Sequence, residues 1–346
     1  MCKDLMMNEK RYVGSENQLL SARRITFRDG MSDGVRAIEL LNTDGLYTTC
    51  LEDQCLNLFD LRYKGINFAF QSKNGLVSNR YFNGGTNEFS YYWPAGMVYT
   101  CGLTNTGPGV TEDGIYHPDH GRIGMMPARN VAMTEDETGV TITGTVQDGF
   151  LAGHRLELNR TIRFPAKGKE IQIYDTVTNR EAIPAEYMLL YHCNFGYPLL
   201  TPDVRILKGK GTGYDKYSDN PLPENCFASD EPQDHKVEQL YCHTNTADKD
   251  GFAYAAIIND ELALGCYVKY AMDTLPLLLH WKNMCSHDYV IGLEPSNSHI
   301  MGRTNERANG TLPVLEGYES CDFHIALGVL DGKEEIAAFE AMLSAL

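Results

Sequence analysis

The sequence predicts an all-β fold, a large antiparallel β-sandwich with few short helices. Apolar and polar residues alternate along most of the chain, which is typical of strands with one buried face. Turn-forming residues recur about every 10 residues, as in large sandwiches, and the clearest amphipathic helix pattern lies at the C-terminus. No linker is visible in the 346 residues, so we predict one domain over residues 1–346, with residues 1–23 as an N-terminal extension.

Individual strands can be located from the alternation. Residues 140–146 carry β-branched side chains on both faces, as strands do. Residues 155–164 and 170–177 predict a hairpin around a Pro-Ala-Lys-Gly turn. Further strands are predicted at 24–28, 34–40, 253–258, 264–270, 277–281, 289–293 and 321–330.

Helix is predicted in two places only. Residues 333–345 have the pattern of an amphipathic helix that begins after Gly332, and residues 1–20 predict a short helix at the edge of the sandwich. Residues 70–120 are rich in Gly, Asn, Tyr and Pro and predict long loops. Loops of this length are usually functional or disordered, and their aromatic content favours order.

Composition excludes several classes of function. The formal net charge of -16 argues against a nucleic-acid partner, because a phosphate backbone would be repelled. The 10 cysteines include no CxxC pair, which argues against a zinc ribbon or a thioredoxin-type centre. No apolar window is long enough to span a membrane, and the N-terminus lacks the apolar stretch of a signal peptide. We therefore expect a reduced, cytoplasmic protein.

Three short segments, far apart in the chain, carry most of the functional information. Residues 117–122 read His-Pro-Asp-His-Gly-Arg, residues 191–198 read Tyr-His-Cys-Asn-Phe-Gly-Tyr-Pro, and residues 292–297 read Gly-Leu-Glu-Pro-Ser-Asn. Each sets ionisable residues among small, apolar or turn-forming neighbours. Any one alone is read more simply as a polar residue at a strand end. Together they provide two imidazoles and a carboxylate, the groups that acid–base chemistry on a small substrate requires.

The second and third segments resemble strands that end at a cleft. His192 and Asn194 lie on the same face of a strand, and a Gly-Tyr-Pro break follows. Glu294 is predicted to close an apolar strand just before Pro295. An unpaired buried charge costs several kcal/mol, so this carboxylate needs a partner. A salt bridge or a hydrogen bond to the next turn is the structural alternative to a catalytic role.

The first segment and one later strand supply candidate binding residues. Arg122 offers a planar fork for a hydroxyl or a carboxylate, and Gly121 lets backbone approach a ligand. His117 and His120 can instead bind a metal, but no third ligand stands at a motif spacing, so we predict no metal site. Lys282 can contact an anionic group, although a strand-edge lysine whose stem covers apolar surface is an equal alternative. Trp281 before it can stack on a sugar or belong to the core.

The same segments resemble the galactose mutarotase-like superfamily. Its central hairpin carries an "LxRTI…DxVxN" pattern, matched by Leu-Asn-Arg-Thr-Ile at 158–162 and Asp-Thr-Val-Thr-Asn at 175–179. Its histidine-bearing strand is matched at His192, its "HGG" segment at 120–122 and its "LExQ" segment at 293–296. The order and approximate spacing agree over about residues 30 to 330. The details look closer to an uncharacterised bacterial branch, the DUF4432 type.

The resemblance implies a β-sandwich with a sugar cleft on its concave sheet. It implies that Glu294 is the general base, that His192 is the general acid and that His120 helps to hold the sugar. The activity would be that of an aldose 1-epimerase, which needs no cofactor. We expect the His192 ring and the Glu294 carboxylate to be separated by about the width of a pyranose ring.

Two features of the superfamily are not matched securely. Its sugar-binding aspartate has only Asp234 and Glu238 as candidates here, and its upstream "NR" arginine corresponds at best to Asn79-Arg80. The full set of predicted substrate-binding residues is His120, Arg122, Asn194, Lys282, Arg80 and Asn297.

Three functions follow from these residues. The leading prediction is an aldose 1-epimerase-type isomerase that acts on a free sugar or a sugar acid. The first alternative is a metal-dependent aldose–ketose isomerase with the histidines and Glu294 as ligands, and the second is a non-catalytic carbohydrate-binding protein. The expected partner is a small molecule, neither nucleic acid nor membrane, and the sequence leaves oligomerisation open.

Overall fold

Antiparallel β-strands make up most of the fold, which confirms the predicted all-β class. The computed structural model describes residues 9–216, 219–235 and 238–346. Within these residues the strands form three large sheets and two small ones, and every pairing between named strands is antiparallel.

The largest sheet has eight strands in the order β16-β19-β20-β24-β12-β11-β10-β9. In β10 the even-numbered residues from 140 to 148 are buried and their odd-numbered neighbours are partly exposed, because successive side chains point to opposite faces. The strands are β9 (Arg129–Asp136), β10 (Gly139–Gly149), β11 (Arg155–Pro165), β12 (Glu170–Asn179), β16 (Arg205–Lys208), β19 (Phe252–Asn259), β20 (Leu264–Ala271) and β24 (Ser320–Asp331).

A seven-stranded sheet packs against the first and carries the candidate site. Its order is β17-β18-β21-β22-β14-β6, with β15 paired to β22. Every residue of β14 is buried, which indicates that both faces of this sheet are covered. The strands are β6 (Tyr99–Leu103), β14 (Met188–His192), β15 (Asn194–Phe195), β17 (Gly213–Asp215), β18 (Glu238–His243), β21 (Leu277–Cys285) and β22 (Asp288–Ser296).

The N-terminal part of the chain forms a five-stranded sheet in sequential order. Its strands are β1 (Leu20–Thr26), β2 (Arg36–Asn42), β3 (Leu46–Leu51), β4 (Asn57–Tyr63) and β5 (Ile66–Asn67). The two small sheets pair β7 (Val110–Glu112) with β8 (Ile115–His117) and β13 (Ala185–Glu186) with β23 (Val314–Leu315).

Within the described residues, three α-helices of more than one residue lie outside the sheets: α1 (Glu88–Tyr92), α2 (Arg303–Asn309) and α3 (Lys333–Ala345). The predicted C-terminal helix is confirmed as α3, which buries Ile336, Phe339 and Leu343 against the eight-stranded sheet. This spacing places the three side chains on one face of the helix. Single-turn 3-10 helices occur at Lys10–Tyr12, Glu16–Gln18, Gly30–Ser32, Asn79–Tyr81 and Ile123–Met125.

The predicted strands agree with those observed, with two corrections. The strand expected from residue 24 begins earlier, at Leu20, so residues 20–23 of the predicted extension belong to the five-stranded sheet. The expected loop region 70–120 contains β6, an interior-facing strand of the seven-stranded sheet. Of the helix predicted at residues 1–20, residues 1–8 lie outside the described residues, and two 3-10 turns occupy much of the remainder.

One hydrophobic core connects the three large sheets. Leu40 of β2, Leu158 of β11 and Leu189 of β14 belong to the same cluster of buried side chains. The nine cysteines of the described residues are unpaired, and seven of them are buried. Among the described residues, no helix is long and apolar enough to cross a membrane.

A buried ion pair lies between the two larger sheets. Arg160 of β11 donates two hydrogen bonds to Asp175 of β12, at 2.9 and 2.6 Å, and both side chains are 0% exposed. The opposite sheet completes the network, because Tyr191 donates to Asp175 at 2.7 Å and Arg160 donates to the hydroxyl of Thr100 at 2.9 Å. The Cys55 carbonyl accepts a further bond from Arg160 at 2.9 Å. These partners offset the cost of removing two charges from water.

Buried histidines predict a pH-dependent stability. Burial lowers the pKa of His243 to about 3, from an ordinary value of 6.5, so the folded state keeps this imidazole neutral where the unfolded chain is protonated. Between these two values the unfolded state binds more protons, and His243 therefore contributes stability that rises with pH, by up to about 1.4 kcal/mol per pH unit. We expect His243→Phe to flatten the rise in unfolding free energy between pH 4 and 6.5, as measured by urea unfolding.

His287→Asn is the matched control, because the His287 side chain is exposed. This variant should keep the wild-type slope. Equal slopes for wild type and His243→Phe would contradict the assignment of a neutral buried imidazole at position 243.

Candidate active site

A cavity of about 580 Å³ opens on the face of the seven-stranded sheet that points away from the core. Its floor is formed by β14, β18, β21 and β22, and its walls are formed by three segments near residues 70–74, 89–93 and 107–120. The ionisable and aromatic side chains that line it are Phe70, Lys73, Phe89, Trp93, Asp119, His120, His192, Glu238, Trp281, Asp288 and Glu294. The sequence prediction that His120, His192 and Glu294 share one cleft is confirmed.

Strand register brings His192 and Glu294 together. Leu190 of β14 pairs with Ser296 of β22, and Asn194 of β15 pairs with Gly292 of β22. His192 therefore lies opposite Glu294 on neighbouring antiparallel strands, where side chains on the same face are in contact. Residues separated by about a hundred positions meet because the sheet makes these strands adjacent.

The His192–Glu294 distance corrects one prediction. Nδ1 of His192 lies 3.3 Å from Oε1 of Glu294, so the two groups touch and no pyranose ring fits between them. Neither atom has a well-aligned hydrogen bond to any residue that the structure describes. The predicted gap was wrong because it assumed that the groups flank a sugar, whereas cross-strand neighbours must lie side by side.

Burial shifts the pKa of both members of the pair toward their uncharged forms. Loss of water raises the pKa of Glu294 well above its ordinary value of 4.5. Burial, and then the neighbouring His120, lowers the pKa of His192 well below 6.5, while the Asn194 side chain acts in the opposite direction. Carboxyl groups and imidazoles perturbed in this way are characteristic of proton-transfer sites.

Glycine at position 292 makes room for the carboxylate. A β-carbon at this position would overlap Oε1 of Glu294 and crowd Trp281. The strand was predicted to end at Glu294, but β22 continues to Ser296, and Pro295 pairs with Leu278. Glu294 is thus held inside a central strand, which fixes its backbone on both sides.

His120 reaches the cavity from a strained loop position. Its φ of 55° lies in the left-handed region, which is uncommon for residues other than glycine. Two backbone hydrogen bonds of 2.9 Å, from His120 N to Gly107 O and from Gly102 N to His120 O, hold this conformation. Strain of this kind is often found at functional sites. The sequence suggested that Gly121 lets backbone approach a ligand. In the structure this glycine instead permits close approach to the backbone of Gly102.

Aromatic rings enclose His192. Its ring centroid lies 5.1 Å from that of Trp93, 5.4 Å from that of Trp281 and 5.5 Å from that of His120. Phe89 stacks on the outer face of Trp93 at 5.1 Å. The chain has two tryptophans, and both line the cavity. Of the two positions that the sequence left open for Trp281, cavity or core, the structure shows the one that lines the cavity.

Lys282 does not lie in the cavity, contrary to the sequence prediction. Trp281 and Asn283 point into the cavity, so Lys282 between them points to the other face of β21. Its side chain is 0% exposed, and it donates hydrogen bonds to Asp230 at 2.9 Å and to the Asn225 carbonyl at 3.3 Å. The lysine therefore has a structural ion pair.

Asn194 and Asn297 stabilise the strands beside the site and do not line the cavity. Asn194 is fully buried and donates to the carbonyls of Gly96 and His192, at 2.9 and 3.0 Å. Asn297 accepts a hydrogen bond from the backbone of Leu189 at 2.7 Å. Both predicted substrate contacts are replaced by backbone contacts, which fix the strand that carries His192.

The two predicted arginines also lie outside the cavity lining. Arg122 is exposed, and the 3-10 helix that begins after it turns the chain away from the cavity. Arg80 is exposed and donates to Ser78 Oγ at 3.1 Å and to the Asp33 carbonyl. The presence of an arginine predicted a substrate contact poorly here. Whether its guanidinium group reaches the cavity depends on the paths of the loops, which the sequence does not show.

Several lining residues were missed by sequence reasoning. Trp93 and Phe89 belong to the aromatic stretch Phe-Ser-Tyr-Tyr-Trp at 89–93, whose composition was a usable signal. The sequence around Lys73 and Asp288 contains no motif that would have indicated a role in the cavity. Of the two candidate sugar-binding carboxylates, Glu238 lines the cavity, whereas Asp234 accepts a hydrogen bond from Ser286 outside it.

Over the described part of the chain, His, Cys, Asp and Glu residues do not come together in any group of three or more that could hold a metal ion. The metal-dependent alternative, with the histidines and Glu294 as ligands, stays a prediction.

Comparison with protein families identifies the chain. A family model described as a domain of unknown function, DUF4432, matches residues 32–329. The chain therefore belongs to the DUF4432 family, which confirms the predicted branch. A comparison with curated proteins found no match.

Solved structures show the same fold at low sequence identity. A Klebsiella pneumoniae protein, provisionally called an aldose 1-epimerase, has a TM-score of 0.86 at 22% identity, over 94% of this chain and 87% of that one. A galactose mutarotase-like protein from Clostridium acetobutylicum has a TM-score of 0.62 at 15% identity, over 91% and 100%. A galactose 1-epimerase from Lactobacillus acidophilus has a TM-score of 0.60 at 11% identity, over 90% and 99%. The fold is galactose mutarotase-like.

The placement of Lys282 gives a testable prediction. Lys282→Met keeps the apolar stem but leaves the Asn225 carbonyl and Asp230 without their donor, so the free energy of unfolding should fall by about 1–3 kcal/mol. The near-ultraviolet circular dichroism of Trp93 and Trp281 should stay unchanged, because both rings lie on the cavity side. Trp281→Phe is the control on the opposite face and should change the spectrum. An altered spectrum with unchanged stability for Lys282→Met would indicate that Lys282 lies in the cavity, and would contradict its placement on the other face of β21.

Proposed function

We propose that the cavity binds a free sugar and that the protein interconverts its anomers, as an aldose 1-epimerase-type isomerase. The observation that supports this proposal most directly is the buried pair of His192 and Glu294, 3.3 Å apart at the floor of the cavity. The galactose mutarotase-like fold adds support, since related structures carry epimerase names.

The reaction needs one base and one acid at neighbouring oxygens. In a cyclic sugar the anomeric hydroxyl and the ring oxygen are bonded to the same carbon. Removing the proton of the hydroxyl and protonating the ring oxygen breaks the bond between that carbon and the ring oxygen, and an aldehyde forms. Rotation about the next carbon–carbon bond and re-closure gives the other anomer. These two oxygens are close together because they share one carbon. Two catalytic groups that are in contact can therefore reach both oxygens at once, whereas widely spaced groups could not.

The protonation states available to Glu294 and His192 fit this reaction cycle. With Glu294 ionised and His192 protonated, Glu294 accepts the proton of the anomeric hydroxyl and His192 donates to the ring oxygen. Ring opening therefore leaves both groups uncharged, the form that burial favours. Re-closure reverses both transfers, so no proton has to be exchanged with solvent. Before a sugar binds, one proton moving across the 3.3 Å gap converts one form into the other.

The surrounding residues provide binding and exclusion of water. The faces of Trp93 and Trp281 present apolar surface to the carbon–hydrogen face of a sugar. His120 lies within 5.5 Å of the His192 ring, close enough to donate to a hydroxyl of the same sugar. Aromatic walls also lower the local dielectric, which strengthens interactions with charge that develops during ring opening.

Removing the proposed base should abolish most of the activity. Glu294→Gln keeps the shape and the hydrogen-bonding reach but cannot accept the proton, so the rate of anomer exchange should fall by about 10²- to 10⁴-fold. Affinity for the sugar should change far less, because the amide still bonds a hydroxyl. Exchange is measured by NMR magnetisation transfer across a panel of aldoses, deoxysugars and uronates. Affinity is measured by the fluorescence of Trp93 and Trp281.

A second substitution tests whether the pair acts as a unit. His192→Asn should cause a comparable fall, and the double variant should lose less than the product of the two effects. Glu335→Gln, in an exposed ion pair on α3, is the control and should exchange anomers at the wild-type rate. Exchange by Glu294→Gln within about threefold of wild type would make the carboxylate structural and favour a sugar-binding protein. Exchange lost on chelation would favour the metal-dependent alternative.

A further inference from the structure

The cavity described above has a strongly unequal set of charges. Among the described residues, three carboxyl groups line it besides the buried Glu294, those of Asp119, Glu238 and Asp288, against one ammonium group, that of Lys73, and the imidazoles of His120 and His192. Burial raises the pKa of Asp119, the neighbouring His120 lowers it, and the charge of Glu238 raises it by a smaller amount, so Asp119 and Glu238 are close enough to interact. An anion that enters this cavity meets carboxylates at short range, and their repulsion disfavours binding.

The ammonium group of Lys73 is already paired. Nζ of Lys73 lies 2.7 Å from Oδ2 of Asp288, and both residues line the cavity. Lys73 follows Ser72, whose hydroxyl donates to the carbonyl of Trp93 at 2.6 Å, and precedes Asn74, whose amide donates to the carbonyl of Ser90 at 3.0 Å. The backbone of this loop is therefore tied to the aromatic wall. Its lysine is held where it reaches the first residue of β22.

We propose that the cavity selects sugars that carry no negative charge, and that Asp288 sets this preference by neutralising Lys73. This inference rests on the proposed function, and it names the substrate class: neutral sugars and sugars that bear a protonated amine, with sugar phosphates and uronates rejected. The rejection has two sources. The carboxylates repel an anion, and the lysine that lines the cavity in the described part of the chain is already paired with Asp288.

The Lys73–Asp288 ion pair affects the charge of the cavity and adds little to the stability of the fold. The Lys73 side chain is 62% exposed and that of Asp288 is 35% exposed, and pairs of this exposure stabilise a protein little. Asp288→Asn should therefore leave the protein folded. It removes one negative charge from the cavity and frees the ammonium group, so both changes favour an anionic sugar.

The chain offers a closely matched control. Lys64 and Asp331 form an ion pair of the same type and the same length, 2.7 Å, with side-chain exposures of 58% and 29%. Neither residue lines the cavity. Asp331→Asn changes the net charge of the protein by the same amount as Asp288→Asn, so it separates an effect inside the cavity from one of overall charge.

The test compares sugars that differ by one substituent. Galactose, galactosamine, galactose 6-phosphate and galacturonate, with the glucose series in parallel, are assayed by NMR magnetisation transfer for exchange and by calorimetry for binding. Wild type should act on and bind the neutral and amine-bearing sugars and should discriminate against the two anions. Asp288→Asn should raise kcat/KM for the phosphate, relative to that for the neutral sugar, by about tenfold. Asp331→Asn should leave this ratio unchanged.

Lys73 is tested in the same assay. Adding Lys73→Met to Asp288→Asn should remove the gain, because the freed ammonium group is its source. Wild type that exchanges or binds the anions as well as the neutral sugars would overturn the proposal, as would an unchanged ratio in Asp288→Asn. Binding of neutral sugars alone, with no exchange of any sugar, would uphold charge selection while contradicting the epimerase function. Failure of every sugar to bind would overturn both.

Discussion

The buried ion pair of Arg160 and Asp175 is the interaction on which the arrangement of the two larger sheets depends. Two charges with 0% exposure are stable in an apolar interior only when all their hydrogen-bonding positions are filled. Here the partners come from both sheets, because Tyr191 of β14 and Thr100 of β6 complete the network. A shift of one sheet against the other would leave a buried charge without a partner, and removing one member of such a pair typically costs about 3–5 kcal/mol.

This network also fixes the candidate site, through the alternation of a single strand. Tyr191 points inward to Asp175, so its neighbour His192 must point to the opposite face, into the cavity. The same relation holds on β6, where Thr100 bonds Arg160 and Tyr99 belongs to the apolar cluster under the cavity. The catalytic histidine that we propose is therefore one residue away from the most strongly held point of the core. Its position is precise because the interior is rigid.

The environment of the site follows from the same geometry. A sheet covered on both faces removes water from His192 and Glu294, and the aromatic residues above them, Trp93 and Trp281, keep it out. Burial consequently favours the uncharged form of both groups. At the mouth of the cavity the residues are more exposed and charged, with Lys73 and Asp288 paired there. The proposed division of roles is that the dry floor transfers protons while the charged mouth selects the ligand.

The local sequence pattern was sufficient to predict individual strands and helices. The hairpin of β11 and β12 and the helix α3 were predictable, because alternation with period two and amphipathic spacing are properties of neighbouring residues. The short segments around His192 and Glu294 were also recognisable, because unusual polar residues stood inside apolar strands and matched a family pattern. Lys282 shows the limit of such reasoning. Its strand was identified, but alternation leaves two faces, and only the packed sheet decides which face meets the cavity.

What the sequence by itself determined is the fold class, most strands and the three residues at the centre of the site. Tertiary structure alone decided that His192 and Glu294 touch, that Arg122 lies outside the cavity lining and that Lys73 is neutralised by Asp288. These are contacts between distant segments, and they depend on strand register and on loop paths. Register is set by the fit of whole sheets around the core, so no local pattern encodes it.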